Sequence, residues 1–406
     1  MLDRVRHTTP RLLLLSSLPA IRRENGDWRL PTKFVDGLKA YAERWPGEVV
    51  AGLQPGSEPS ADLDNEWWAP SALPFGLEPM DFRLLAQEGH ALLVGAIVMG
   101  IPHHDLHGLA RQCRRRGSVH VVNTELTLRT QLQIARETLG LGPRLLRTSA
   151  WLILEHRRVM REISDAHGLQ CNGTPTYDAY SGSSKNPLLY FDSRTIPEML
   201  IAREEIAARI TRFEERQRIR ILFSGRLSPI KGVHHLVPMA DALRRRDMDF
   251  ELWIAGDGPL RKQIDADIHA LGLDAQVRCL GSLDFSRELM PLLRDEIDVF
   301  ACPHLQGDPS CTYLETMAAG VPIVGYGNEA WRGLQQRSGA GLVSPRTRPA
   351  ALATAISALA SNPVELRQLS FNAAEFAAEH LFDQSFDRRI KHLETLSLQV
   401  HSTAAC

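Results

Sequence analysis

Between residues 220 and 324 the sequence alternates short apolar runs with amphipathic stretches, and nearly every run ends at glycine or proline. Residues 220–224 stop at Gly225, 250–255 at Gly256, 277–280 at Gly281 and 297–302 at Pro303, and 321–324 closes the series. Residues 233–246, 260–271, 286–294 and 312–319 carry helical periodicity between them. Runs this short, set between helices, read as buried parallel strands joined by crossover helices. The rhythm predicts an α/β fold with a doubly wound parallel sheet. Loops after such strands gather on the carboxyl edge, where these sheets bind ligands.

The N-terminal half alternates less cleanly. Strands are expected at 12–15, 49–51, 92–98 and 119–122, and helices at 33–42, 106–116 and 127–138. A length of 406 residues suggests two domains. The charged stretch 196–218 places the boundary: residues 1–200 form an N-terminal unit and 201–375 a C-terminal one. The tail, 376–406, continues a helical stretch over 371–396 whose Phe371, Phe376, Phe382 and Phe386 suit packing against something beyond their own sheet. Two Rossmann-like halves facing a cleft is the simplest architecture.

Bulk properties exclude several classes. With 44% hydrophobic and 23% charged residues the chain can bury a large core. A net charge of −1 gives no global field toward nucleic acid, so no nucleic-acid partner is expected. The basic runs Arg114–Arg116 and Arg244–Arg246 precede Gly117 and Asp247 and read as solvated helix ends. The helix around 111–116 also leaves peripheral contact with an anionic membrane open. The cysteines at 113, 171, 279, 302, 311 and 406 include no C-x-x-C pair, which argues against a zinc knuckle and fits a reducing cytoplasm. The apolar stretches 12–15 and 91–99 are too short for a signal core or a span. A cytoplasmic protein, at most at the inner face of the membrane, is expected.

Three loops carry chemistry. In Gly225-Arg226-Leu227-Ser228-Pro229-Ile230-Lys231-Gly232 a strand ends, a glycine turns, and two cations follow five residues apart. A planar guanidinium fork and an ammonium point charge together suit a diphosphate. Asp308-Pro309-Ser310-Cys311-Thr312 reads as a helix start, whose free N–H groups attract anions. Glu315, one turn in, offers a carboxylate for two vicinal hydroxyls, as on a ribose. Gly256-Asp257-Gly258 permits a tight turn with close backbone approach to a ligand.

In this order, over residues 220–327, the loops resemble the C-terminal domain of glycosyltransferase family 4, which has the GT-B fold. The resemblance implies that Arg226 and Lys231 grip the diphosphate of a nucleotide-sugar donor, UDP- or GDP-linked. Gly225, Gly256, Asp257 and Gly258 would flank the nucleotide, and the segment with Cys279, Leu280 and Leu283 would meet the base. Ser310, Cys311 and Thr312 would present amides to the phosphates, Glu315 would hold the ribose, and the last helix would cross back to the N-terminal domain. It further implies retention at the anomeric carbon, with leaving-group oxygen as base.

The sequence departs from the family pattern at informative places. Many members carry E-x7-E; Glu315 matches the second glutamate, and the first falls on Gly307, leaving Asp308 as the nearby carboxylate. The usual histidine after strand 119–122 is absent, with Thr124 and Glu125 near its place; His103, His104 and His107 follow the preceding strand instead. Gly26 is the sole glycine in 17–26. Gly26, His103, His104 and Glu125 are the candidate acceptor-side residues. Asp265-Ala266-Asp267 has metal-like spacing but lies in a predicted helix, so neither metal nor cofactor is expected. The acceptor is a glycan, a lipid-linked glycan or a small molecule. Competing readings are a phosphorylase or epimerase of the same fold, or an inactive nucleotide-sugar-binding relative.

Overall fold

The computed structural model describes residues 9–56, 58 and 65–404. Cys406 lies outside them. In the first half the strands are β1 (Leu12–Arg22), β2 (Trp28–Pro31), β3 (Val49–Pro55), β4 (Asn65–Trp68), β5 (Gly76–Pro79), β6 (Ile97–Gly100), β7 (Val119–Thr124), β8 (Gly168–Asn172) and β9 (Pro187–Tyr190). The parallel part of this sheet runs β5-β3-β1-β6-β7-β8-β9. Leu12–Leu15 of β1 are buried between neighbours on both sides, which is why this run reads as purely apolar. Past Ser16 the register of β1 shifts and its end pairs antiparallel with β2, which pairs in turn with β4.

The second half adds β10 (Ile219–Ser224), β11 (Phe250–Ala255), β12 (Val277–Gly281), β13 (Val299–Cys302), β14 (Ile323–Tyr326) and β15 (Gly341–Ser344). They form a parallel sheet in the order β12-β11-β10-β13-β14-β15. The order reverses beside β10, and in the other sheet beside β1. Each domain is therefore doubly wound with its switch point at its first strand.

The differences from sequence expectation have local causes. Residues 92–98 are not one strand: Ala91–Leu93 is a tight turn, Gly95 takes φ +62°, and only then does β6 begin. The closing helix is two helices, Pro363–Ala378 and Phe382–Ala404. Phe371 and Phe376 pack on the second domain, whereas Phe386, Ile390, Leu393 and Leu396 enter the first domain's core with Leu38 and Tyr41. The charged helix Arg203–Arg216 belongs with the second sheet. Its buried Arg209 donates to the carbonyls of Leu293, Arg294, Ala319 and Gly320, which satisfies a cation that would otherwise be costly to bury. No helix among the described residues is long and apolar enough to cross a membrane.

Candidate active site

The carboxyl edges of the two sheets face each other across a cleft of about 1100 Å³. The N-terminal wall carries Ser16 and Ser17, where β1 leaves the parallel sheet, with Lys33, Asn123, Glu125, Asp192 and Arg194. The C-terminal wall carries Gly225, Arg226, Gly256, Ser282, Leu283, Thr312 and Glu315. Phe386 and Arg389 of the last helix close one side.

The C-terminal loops interlock. Leu227 N–H donates to the Asp257 carbonyl at 2.9 Å and Leu260 N–H to the Leu227 carbonyl at 3.0 Å. Gly256 has φ +125°, and a Cβ there would sit 2.0 Å from the Gly225 carbonyl oxygen; one on Gly258 would sit 2.7 Å from that of Leu227. The close approach that needs these glycines is thus between neighbouring loops, with only Gly256 also facing the cleft. Asp257 caps its own turn, accepting from Gly258 N–H at 2.7 Å. Cys279 and Leu280 lie in β12 and pack into the core, and Leu283 is the part of that segment which reaches the cleft.

Lys231 is engaged within its own domain. Its ammonium lies 2.9 Å from Asp308 Oδ2, with 15% and 20% of the two side chains exposed. Burial alone would raise the Asp308 carboxyl, but Lys231, then His304, hold it below the usual carboxylate range. Gly307 is buried against the start of helix Glu329–Ser338. A Cβ there would meet the Glu329 Cβ at 3.0 Å and the Glu329 nitrogen at 3.2 Å, so any side chain at this position would have to push the helix start back by a few tenths of an ångström. Asp308, turned toward Lys231, is the carboxylate at that corner.

Glu315 is almost fully buried on the short helix Thr312–Ala318 and accepts from Arg194 Nε at 2.8 Å. Arg194, which also lies over the Phe285 ring at 4.2 Å, comes from the opposite domain. Beside it, Lys33 bonds Asp192 at 2.9 Å and the Cys311 sulfur at 3.2 Å. Burial opposes charge on both Lys33 and Asp192, yet Cys311 and then Asp192 raise the lysine, and Lys33 lowers the aspartate. Thr312 lines the cleft, while Ser310 lines a smaller cavity with Asn172 and Asp192. Glu125 faces the cleft; its burial, then Asp192, push its carboxyl up, with Lys33 opposing.

Sequence reasoning missed Lys33, Asp192, Arg194 and Arg389. Asp192 and Arg194 would have followed from reading β9 as a strand, since they sit in the loop after it, as Arg226 does after β10. Lys33 stands just past β2, a strand with no apolar run to announce it. Arg389 lies over the Tyr190 ring at 4.1 Å and donates to Gln170 at 3.0 Å, pinning the last helix to the first domain. Three expected acceptor-side residues do not reach the cleft. Gly26 sits in the β1–β2 turn, where an added Cβ would have nothing within 4 Å. His103 and His104 flank a tight turn after β6, and His103 lines a separate small cavity with His107, His120 and Glu162. Among the described residues, His103, His104 and Asp105 form the group whose donor atoms, all within 4.8 Å, could hold a metal ion. It lies outside the cleft lining.

Residues 218–362 match the family model of glycosyl transferases group 1. Alpha-D-kanosaminyltransferase of Streptomyces kanamyceticus is 29% identical over 158 residues, 39% of this chain and 40% of that protein. Phosphatidyl-myo-inositol mannosyltransferase of Mycobacterium leprae is 32% identical over 149 residues, 36% of this chain and 38% of its own length. The chain thus matches well under half the length of these curated relatives. HepE of Anabaena, solved in complex with UDP, superposes over 98% of this chain and 99% of its own with a TM-score of 0.60 at 16% identity.

The fold is GT-B. A GT-B cleft is built from two carboxyl edges, which is why its walls here come from loops far apart in sequence. Among the described residues the fold also buries two histidines, one of them beside Lys231 and Asp308. His120 and His304 are both buried, and desolvation is the largest cause that pushes each down to about 3. Both are neutral in the folded chain but gain a proton below about pH 6.5 once unfolded. Their folded pKa is depressed, so stability is whole above that pH and falls as pH drops. Each histidine contributes about 1.4 kcal/mol per pH unit in that window. Thermal melts should therefore drop from about pH 7 to pH 5, and His120→Gln should flatten the slope by one proton. A melting temperature constant over that range would contradict neutral burial.

Proposed function

We propose that this chain is a retaining glycosyltransferase of family 4 that moves a sugar from a nucleotide-diphosphate donor to an acceptor hydroxyl without a metal. The observation that carries the reading is Glu315. It is a buried carboxylate on the C-terminal wall of an interdomain cleft, one helix turn beyond Thr312, on the same wall as Arg226 just past the end of β10. The match to group 1 glycosyl transferases covers this wall, and HepE's complex with UDP favours a uridine over a guanosine donor.

As the sugar–phosphate bond breaks, positive charge grows on the anomeric carbon and negative charge on the diphosphate. Arg226, Lys231 and the helix start at Thr312 stabilise the leaving diphosphate, and charge fixed in advance costs no reorganisation during the reaction. The acceptor hydroxyl attacks the face the diphosphate leaves, and a departing oxygen takes its proton. Closure of the two domains then excludes water. Residues 1–200 serve as the acceptor unit and 201–375 as the donor unit, with the last helix joining them. The acceptor is a glycan, a lipid-linked glycan or a small molecule, and the reaction takes place in the cytoplasm.

A panel of UDP- and GDP-sugars, followed by thermal stabilisation and slow donor hydrolysis, tests the reading without an acceptor. One donor should raise the melting temperature and be hydrolysed equally well in EDTA. Stabilisation by none of them, or activity abolished by EDTA and restored by a divalent cation, would overturn the respective part of it.

A further inference from the structure

We propose that the helical hairpin Leu128–Leu139 and Pro143–Asp165 docks on an anionic lipid surface. Three features of this hairpin converge on that occupant.

The first is apolar exposure. Leu139, Leu141, Leu146, Trp151, Ile153 and Leu154 make up nearly half of the exposed large hydrophobics among the described residues, and they lie within sixteen consecutive residues. Leu141 is 85% and Leu146 73% exposed. The tip projects clear of the protein: Gly140 and Gly142, on either side of Leu141, have nothing within 4 Å of an added Cβ. A side chain so placed gains nothing from the fold and suits insertion among lipid headgroups and upper acyl chains.

The second is unmatched charge. Arg144, Arg147, Arg157 and Arg161 are exposed on the same helix and have no ion-pair partner among the described residues. Arg44, Arg218 and Arg294 elsewhere on the surface are instead paired with Asp387, Asp249 and Glu205. The glutamate midway along the helix, Glu155, is buried and turned toward His107 and Arg158. The net charge of the chain is −1, so this local excess is not a product of basic composition. In the basic run at 114–116 two of the three side chains are spent on the protein: Arg114 donates to the Asp165 carbonyl and Arg116 to that of Glu88.

The third is shape. A helix of 23 residues is roughly 35 Å long, enough to lie flat on a bilayer with arginines snorkelling to phosphates. Its exposed apolar side chains and its arginines alternate along the helix, with Arg144 and Arg147 on either side of Leu146 and Arg157 and Arg161 following Leu154. A polyanion would leave the leucines and Trp151 wet. A symmetric dimer through this face would set arginines against arginines. An anionic bilayer satisfies both groups at once.

The test is co-sedimentation of the full chain with vesicles of phosphatidylcholine alone and of phosphatidylcholine with phosphatidylglycerol. Binding should need the anionic lipid. It should fall roughly 10-fold or more in Arg157→Glu/Arg161→Glu, and also in Leu146→Ser/Leu154→Ser. These exposed positions should leave circular dichroism and donor affinity unchanged, so a loss would not reflect unfolding. Failure to bind anionic vesicles, equal binding to neutral ones, or binding untouched by both variants would overturn the proposal. So would a concentration-dependent dimer that Leu146→Ser dissolves, which would assign the face to a second copy of the chain. None of these outcomes depends on the sugar-transfer reading.

Discussion

Lys231→Ala should lower donor hydrolysis by roughly 10²–10³-fold, the usual loss when one preorganised charge aimed at a leaving group is removed. The ammonium follows the turn after β10, at the same edge as Arg226, and is mostly enclosed, so its charge is poorly screened. A purely structural role is the serious competitor, because Lys231 also neutralises Asp308 at 2.9 Å. Removing the lysine strands a largely buried carboxylate, which by itself harms folding or local order. A double-mutant cycle separates the two roles. If Lys231 only serves Asp308, Lys231→Ala/Asp308→Ala relieves the stranded charge and recovers activity to the level of Asp308→Ala. If Lys231 stabilises the diphosphate, the double variant stays as slow as Lys231→Ala while its melting temperature recovers. Near wild-type hydrolysis by Lys231→Ala, or recovery in the double variant, would remove the lysine from the mechanism.

The second domain was legible because buried parallel strands leave uninterrupted apolar runs. β11 coincides with its predicted limits, and β10, β12 and β14 fall within one or two residues of theirs. In the first domain β2 and β4 form an antiparallel ribbon without such a run, and β9 is four residues long. The site followed the same division. Arg226 and Glu315 are announced by the strand end or helix start beside them, and both reach the cleft. The contacts that surround them are not local. Lys33 and Asp192 are 159 residues apart, and Arg194 and Glu315 are 121. No periodicity or spacing encodes such pairs: the first joins two distant segments of one domain, and the second exists only once two separately wound sheets face each other. Gly307 shows the converse case. The residue looks like a lost glutamate in sequence, and only the structure shows that it packs tightly against the start of the helix at Glu329.

Glu315→Ala should weaken binding of a nucleoside diphosphate by roughly 10–100-fold, the cost of losing hydrogen bonds to a charged acceptor. The side chain is 3% exposed, so the carboxylate is held in one place and meets a ligand without a large ordering cost. Its partner Arg194 keeps 42% of its side chain in solvent, and losing the glutamate leaves that guanidinium hydrated rather than stranded. The helix Thr312–Ala318 should therefore stay in place, which a melting curve checks. Weakened affinity alone would still fit a carboxylate that merely orders Arg194. Calorimetry with ribose and 2′-deoxyribose nucleotides distinguishes the two. If Glu315 holds the vicinal hydroxyls, the native protein should bind the deoxy nucleotide more weakly than the ribose form, though less weakly than Glu315→Ala binds the ribose form, because the 3′-hydroxyl remains. The variant should then discriminate little between the sugars, because the penalty has already been taken. A variant that still prefers ribose by the native margin would show that the hydroxyls are read elsewhere. Glu315 would then be a support for Arg194, and the ribose contact would have to be sought among the other groups on the C-terminal wall.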